Sequence, residues 1–297
     1  MVGISKMEQV INQIYWESVA NTYMYGTRLK VHADKSVEFE NNMMAPGKEI
    51  VSWHSTTNYQ STKRVPDLPF LVNGNEYQIF IKADAIPEKT CVNRLTFFDA
   101  QKDEIKRLEF TDTRYTFTFP KDAVSYTFSI VNAGCKKINF ERIQIADQDL
   151  PLKILDDIYF NDVINPESDR TLNLILVMDN IHARKIWSKL KVYAGTLPWV
   201  VVNISWQGCQ KAGTVIKDWL ASHKITNFRL ISTNTKLNSL IPDIFINHFN
   251  VEYYENNAIR SNNVLMQKDL TWYSESVCDP DWLAISKFLH KECEGIK

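Results

Sequence analysis

The run Val124–Ile145, VSYTFSIVNAGCKKINFERIQI, decides the architecture of the first half of the chain. Tyr126, Phe128 and Ile130 fall on one side of an extended segment and Ser125, Thr127 and Ser129 on the other, which is the period of a strand with one face on a core. Ala133-Gly134 breaks the run, and a second alternating segment follows. Runs of the same kind recur from Arg28 onward, at 28–32, 36–40, 49–53, 76–82, 92–98, 104–109, 114–119, 124–131 and 137–145. Pro46-Gly47, Asn73-Gly74-Asn75, Pro87, residues 99–103 and Pro120 punctuate them, and hardly any window shows helical periodicity. This pattern predicts an all-β jelly-roll sandwich.

Between Asp147 and Arg170 the chain turns polar and proline-marked (DQDLPLK, NPESDR), and the apolar period changes after it. The boundary divides the chain into a β domain over residues 1–150 and an α/β domain over 151–297. Leu172–Met178, Trp199–Ile204 and Phe228–Ile231 are continuous apolar runs, and helical patterns occupy 183–193, 208–223, 236–249 and 281–293. Such runs alternating with helices predict parallel strands buried on both faces.

Composition excludes several functions. With 297 residues, 44% hydrophobic and 23% charged, the chain is globular and has room for two domains. Residues 1–150 carry 18 basic and 19 acidic side chains and the remainder 16 of each, so neither half has the basic excess that a phosphate backbone demands. No window reaches the roughly 18 to 20 apolar residues of a membrane span, and the N-terminus lacks an h-region with a cleavage site. A cytoplasmic chain is expected. Its five cysteines are odd in number, spread out and without a CxxC pair, which predicts free thiols. The sequon Asn203-Ile204-Ser205 lies in an apolar run and is read as chance. No HExxH or similar set predicts a metal, and no cofactor is expected. A calcium ion in the sandwich stays open, because no ligand set identifies one.

Tyr15–Gln60 spaces large rings beside amides in turns: YWESVANTYMYG, VEFENNMMAPG and VSWHSTTNYQ, before VPDLPFL. Rings with hydrogen-bonding groups at their edge suit a sugar face or a partner's loop. Trp53, His54, Asn58, Tyr59 and Gln60 are the expected surface contacts, followed by Trp16, Tyr23 and Tyr25. Protein contact is the favoured use, since interface hot spots favour Trp and Tyr.

Tyr15-Trp16, Asn21-Thr22-Tyr23-Met24-Tyr25-Gly26, Phe39-Glu40-Asn41, Trp53 and Thr57-Asn58-Tyr59-Gln60 before Leu68-Pro69 resemble the accessory secretory protein family, specifically its small third component. The likeness runs to about Ile145. It implies a cytoplasmic, non-catalytic protein in complex with two larger accessory secretory proteins. That complex would act with the accessory Sec motor ATPase of Gram-positive bacteria, at the inner face of the membrane, to export serine-rich repeat glycoprotein adhesins. The fold it implies is a β-sandwich similar to carbohydrate-binding modules. An independent glycan-binding module, taking N-acetylglucosamine on the substrate, is the alternative.

The second domain is similar in layout to the central part of an α/β-hydrolase, truncated and degenerate. That layout puts Ser232 where a nucleophile would stand. A nucleophile elbow needs small residues two places to either side, and here Leu230 and Asn234 occupy them, so Ser232 is read as a cap or turn residue. No catalytic residue is expected, and an esterase or acyltransferase is the third alternative. Asp279 with His290 would supply the order of a triad, but order alone is cheap. Asp179 and His182 would lie at the carboxyl end of a parallel sheet, where α/β proteins bind ligands, and are read instead as a capping acid and a solvated His. Gly208–Thr214 follows a strand and opens a helix without the GxxxxGK[ST] spacing, so nucleotide binding is rejected.

Overall fold

The structure, a computed structural model, describes residues 10–57, 65–166, 171–180, 183–185, 197–240 and 252–254. They gather into two compact units, Ile11–Pro151 and the residues from Leu152 onward.

The first unit is a sandwich of two antiparallel sheets. Its strands are β1 (Val10–Ile14), β2 (Arg28–Val31), β3 (Val37–Glu40), β4 (Glu49–His54), β5 (Glu76–Ile86), β6 (Cys91–Phe98), β7 (Glu104–Phe110), β8 (Arg114–Thr118), β9 (Ser125–Asn132) and β10 (Lys137–Asp147). In one sheet β10 is central: β5 runs along one side of it, β3 and β1 share the other, β2 pairs with β3, and β8 pairs with β5. The other sheet has the order β4-β9-β6-β7. Tyr126, Phe128 and Ile130 of β9 are buried, as their alternation requires.

The strand β10 does not keep strict alternation. Ile138 and Phe140 enter the core on even positions, whereas Ile143 and Ile145 enter on odd ones. A register shift between Phe140 and Arg142, where β10 pairs with β5, absorbs the extra residue. This bulge turns Arg142 to the opposite face and brings two isoleucines inward. The strand β1 escaped the sequence reading: Asn12 and Gln13 interrupt its apolar residues, and what makes VINQI a strand is pairing with β10, Asn12 opposite Ile145, far away in sequence.

In the second unit the strands are β11 (Ile158–Phe160), β12 (Leu172–Met178), β13 (Ala183–Lys185), β14 (Trp199–Ile204), β15 (Phe228–Ser232) and β16 (Glu252–Tyr254), with helices α1 (Cys209–Ser222) and α2 (Thr235–Asn238). The sheet order is β11-β14-β12-β15-β16. All its pairings are parallel except that of β11 with β14. Every residue of β12, β14 and β15 is buried, which is why apolar residues dominate their sequences, with Asn173, Asn203, Arg229 and Ser232 as the buried polar exceptions. Ala212, Ile216 and Leu220 form the buried stripe of α1 at helical spacing. Gly208 caps α1 because nothing larger fits: a Cβ there would lie 2.7 Å from the Asp157 carbonyl oxygen.

One predicted helix is corrected. Residues 183–185 of the expected 183–193 helix are extended, and 186–193 lie outside the described residues. Ala-Arg-Lys favours helix locally, but the Arg184 side chain is committed to a buried acid five residues back, and that tertiary bond overrides propensity. The expected 236–249 helix is described only in the single turn Thr235–Asn238, and 281–293 lies outside the described residues.

Deleting Glu141, the extra residue, should remove the bulge while Ile138, Phe140, Ile143 and Ile145 stay inward and Arg142 stays on the opposite face, so the sandwich should still fold at a cost of no more than about 3 kcal/mol. Glu141→Ala, which loses an exposed pair with Lys82 at 2.7 Å and a longer one with the buried Arg142 at 3.7 Å, should cost about 1 to 2 kcal/mol. Urea titration followed by tryptophan fluorescence reads both.

Candidate functional site

The largest correction concerns the rings expected at the surface. Trp16 is 2% exposed and Trp53 3%, so both belong to the core. Trp53 stacks on Phe140 at a centroid distance of 5.5 Å, and Trp16 meets Trp53 edge-on at 6.1 Å and Phe39 at 5.9 Å. Their indole N–H groups are satisfied inside: Trp53 Nε1 donates to the Tyr15 carbonyl oxygen at 3.0 Å, and Trp16 Nε1 to Thr22 Oγ1 at 2.8 Å. With ring faces and N–H both used, neither indole has anything left to offer a ligand.

The motif around them is scaffold of the same kind. The buried Asn41 donates through Nδ2 to the Tyr25 carbonyl oxygen and to Thr27 Oγ1, each at 2.8 Å, and its Oδ1 accepts the Met43 backbone N–H at 2.9 Å. Thr27 Oγ1 donates to the Tyr23 carbonyl oxygen at 2.7 Å, and the Tyr23 N–H reaches the Ile50 carbonyl at 2.8 Å. Gly26, at φ +70°, makes the turn that a side chain would strain. One amide thus locks the 23–27 loop against the 41–43 loop.

What this knot displays is apolar. Tyr25 is 75% exposed and Met43 77%, with Met24 also exposed. Tyr23 is half-buried against the core. His54 is half-buried, with Nε2 3.3 Å from Ser52 Oγ, and its carbonyl oxygen accepts the N–H groups of Asp67 and Leu68. Asn58, Tyr59 and Gln60 lie outside the described residues. The most exposed of the side chains that were missed are Met43, whose display no periodicity announces, and Phe70, 86% exposed inside the quoted VPDLPFL at the end of a loop tied down by the bond from Tyr126 Oη to the Pro69 carbonyl oxygen at 2.9 Å.

The carboxyl end of the parallel sheet is closed by an ion pair. Asp179, directly after β12, takes Arg184 Nε on both oxygens at 3.0 and 2.8 Å and Nη2 at 2.6 Å, and both side chains are wholly buried. Arg184 Nη1 donates to the carbonyl oxygens of Ile154 and Asp156, and Asn203 Nδ2 approaches Asp179 Oδ1 at 3.4 Å. Asp179 is therefore neither a helix cap nor open to a ligand, which corrects the sequence reading; His182 lies outside the described residues. Ser232 ends β15 completely buried, and its Oγ donates to the Asn234 carbonyl oxygen at 3.0 Å. The cap of α2 is Asn234, whose side chain accepts the Lys236 N–H, so Ser232 is the turn residue of the two roles expected. Asp279 and His290 lie outside the described residues.

Cys91, Cys135 and Cys209 are free thiols. The hydrogen bond that Cys91 shares with Cys135 draws the Cys135 pKa down to about 6 and pushes that of Cys91 far up. Burial raises Cys209. Among the described residues no group of three or more His, Cys, Asp or Glu is placed to hold a metal ion, and no helix is long and apolar enough to cross a membrane.

Fold and surface together define a β-sandwich with a knotted, apolar loop pair, followed by a parallel α/β unit. Residues 22–147 match the model of the family described as Accessory Sec secretory system ASP3. The accessory Sec system protein 3 of Streptococcus gordonii is 30% identical over 145 residues, covering 46% of this chain and 91% of that protein. The chain belongs to this family and has a role in the accessory Sec system. It is also similar to a chain in the crystal structure of accessory secretory proteins 1, 2 and 3 of Streptococcus pneumoniae, at 32% identity and TM-score 0.44 over 49% of this chain and 99% of that one. A chain of the glycosylation-associated protein (Gap123) complex of Streptococcus agalactiae is 22% identical at TM-score 0.57 and shares the fold over 84% of this chain and 80% of its own length.

Trp53→Ala should destabilise the first unit by about 3 to 5 kcal/mol, the range for a buried large aromatic, whereas Tyr25→Ala should shift stability by under about 0.5 kcal/mol. Arg184→Met should cost about 3 to 5 kcal/mol by leaving Asp179 buried without its partner, and Asp179→Leu with Arg184→Met together should recover part of that loss. Denaturant midpoints of the four proteins check both statements.

Proposed function

We propose that the chain is a non-catalytic adaptor of the accessory Sec complex. Its first unit, taken as residues 1–150, docks on the two larger accessory secretory proteins through the Tyr25 and Met43 surface. The second, residues 151–297, is a serviceless relative of the α/β-hydrolase layout. The observation that carries this reading is the display of Met24, Tyr25 and Met43 on loops held rigid by Asn41: apolar groups that need not be ordered at the moment of binding lose little entropy on docking. The relatives fit it, since two solved structures similar to this chain are complexes of several accessory or glycosylation-associated proteins. A cytoplasmic chain at the inner face of the membrane, working with the motor ATPase of a Gram-positive cell on a serine-rich glycoprotein, follows from the same role. Protein contact is preferred over a sugar platform because Trp16 and Trp53, the rings assigned to stack on a sugar, face the core.

Tagged chain should bring down both larger accessory proteins from cells carrying the system. Tyr25→Ala with Met43→Ala should reduce that capture at least tenfold without lowering the melting temperature. Capture of neither partner would sink the adaptor role. Ester hydrolysis that vanished in Ser232→Ala would refute the non-catalytic reading.

A further inference from the structure

Opposite in kind to the knotted loops, one margin of the first unit ends unfinished. The strand β8 pairs with β5 only from Glu76 to Phe80, and the Ile81 N–H makes the last bond across, to the Thr113 carbonyl oxygen at 2.8 Å. Beyond it β5 runs on to Ile86, paired on its other side with β10. Backbone groups alternate in direction along an antiparallel strand. Ile81 points its N–H toward β8, and Ile86 points its carbonyl toward β10, where it accepts the Lys136 N–H at 2.9 Å. Ala83 and Ala85 share the direction of Ile81. Their N–H and C=O groups therefore face outward along an edge that no described strand occupies.

Beside this edge the two sheets part into a cleft of about 500 Å³. Its floor is aliphatic, from Ile81, Ile130 and Ile138, and it exists because β5 carries alanine at 83 and 85 where it carries Tyr77, Ile79 and Ile81 earlier on the same face. Its rim is acidic. Asp84, Glu88 and Asp112 line the mouth against the one cation Lys89, and all four are exposed. An exposed strand edge is ordinarily blunted by lysine, proline or a covering loop. Here proline arrives only after the edge, at Pro87, the edge's own lysine, Lys82, is drawn to Glu141 at 2.7 Å, and the charge between the two alanines is the carboxylate of Asp84.

We propose that the 82–86 edge of β5 takes up an extended strand from a protein partner, a segment alternating lysine or arginine with branched aliphatic residues. Pairing with Ala83 and Ala85 supplies the main-chain bonds, the aliphatic side chains fill the space above the two alanines, and the cations meet Asp84 and Asp112. The strand is added to the sheet that already holds β8, continuing its line past Thr113. This deepens the adaptor reading by naming a second surface and the chemistry of the segment it takes, and it stands apart from the Tyr25 surface.

The test uses the full chain and a blocked, fluorescein-labelled octapeptide of alternating lysine and valine, read by anisotropy at low and at physiological salt. Saturable binding that weakens with salt is expected. A peptide with proline at its two central positions, or with glutamate for lysine, should bind at least tenfold more weakly. Ala85→Pro removes an N–H that points away from β10 and should weaken binding tenfold or more; Asp84→Lys, at an exposed position, should do so without disturbing the fold if the proline variant does not fold. No saturable binding, equal binding of the proline peptide, or indifference to both protein variants would overturn the proposal. So would sedimentation showing that the edge is filled by a second copy, displaced by the peptide. Capture of the larger accessory proteins in the presence or absence of Asp84→Lys separates failure of this edge from failure of the adaptor reading.

Discussion

The seal between the two sheets is a cluster of rings, and the rest of the first unit depends on it. Phe39 and Phe140 come from one sheet, Trp53 and Phe128 from the other, and Trp16 wedges among them after β1. Two sheets can pack only if their inner faces interdigitate without voids, and large rigid rings fill that gap with few rotamers to order. Each indole brings an N–H that must be satisfied once buried. Tyr15 and Thr22 meet that need, so the chain leaving β1 is pinned to the core at both residues.

From that requirement the surface follows. Because Trp16 must reach Thr22, and Ser52 N–H the Asn21 carbonyl, the segment after β1 is drawn across the sandwich before β2 can start. The loop that carries Tyr23 to Gly26 is then fixed by Asn41 rather than left to solvent. The exposed Tyr25 and Met43 are displayed by a buried amide beneath them. The second unit works in a comparable way with charge: one guanidinium gathers the carbonyls of Ile154 and Asp156 and the carboxylate of Asp179, and the end of the sheet where related architectures open a ligand crevice is filled by the protein's own side chains.

Much of this was legible in the residues. Alternation placed nine strands of the sandwich within a residue or two at most boundaries, although β5 and β10 run further than their patterns suggested, and runs dominated by apolar residues placed β12, β14 and β15. The candidate site was far less so. A tryptophan beside amides in turns reads the same whether its ring faces water or core, because turn composition reports backbone conformation and carries no information on which way a side chain points. Trp16 and Trp53 were misplaced on that ground, while Tyr25, from the same motif, is displayed. Met43 and Phe70 gave no signal, since a lone apolar residue in a loop is ordinary on any surface.

The sequence by itself determined where nine strands of the sandwich run and where β12, β14 and β15 lie, because these rest on local spacing and composition. Tertiary structure alone decided which rings are inside, where the bulge of β10 reverses the inward parity, how Asp179 is consumed by Arg184 and where β5 outruns β8. Each of those depends on partners tens of residues away or on one extra residue in a ladder, and period-two spacing is silent about both.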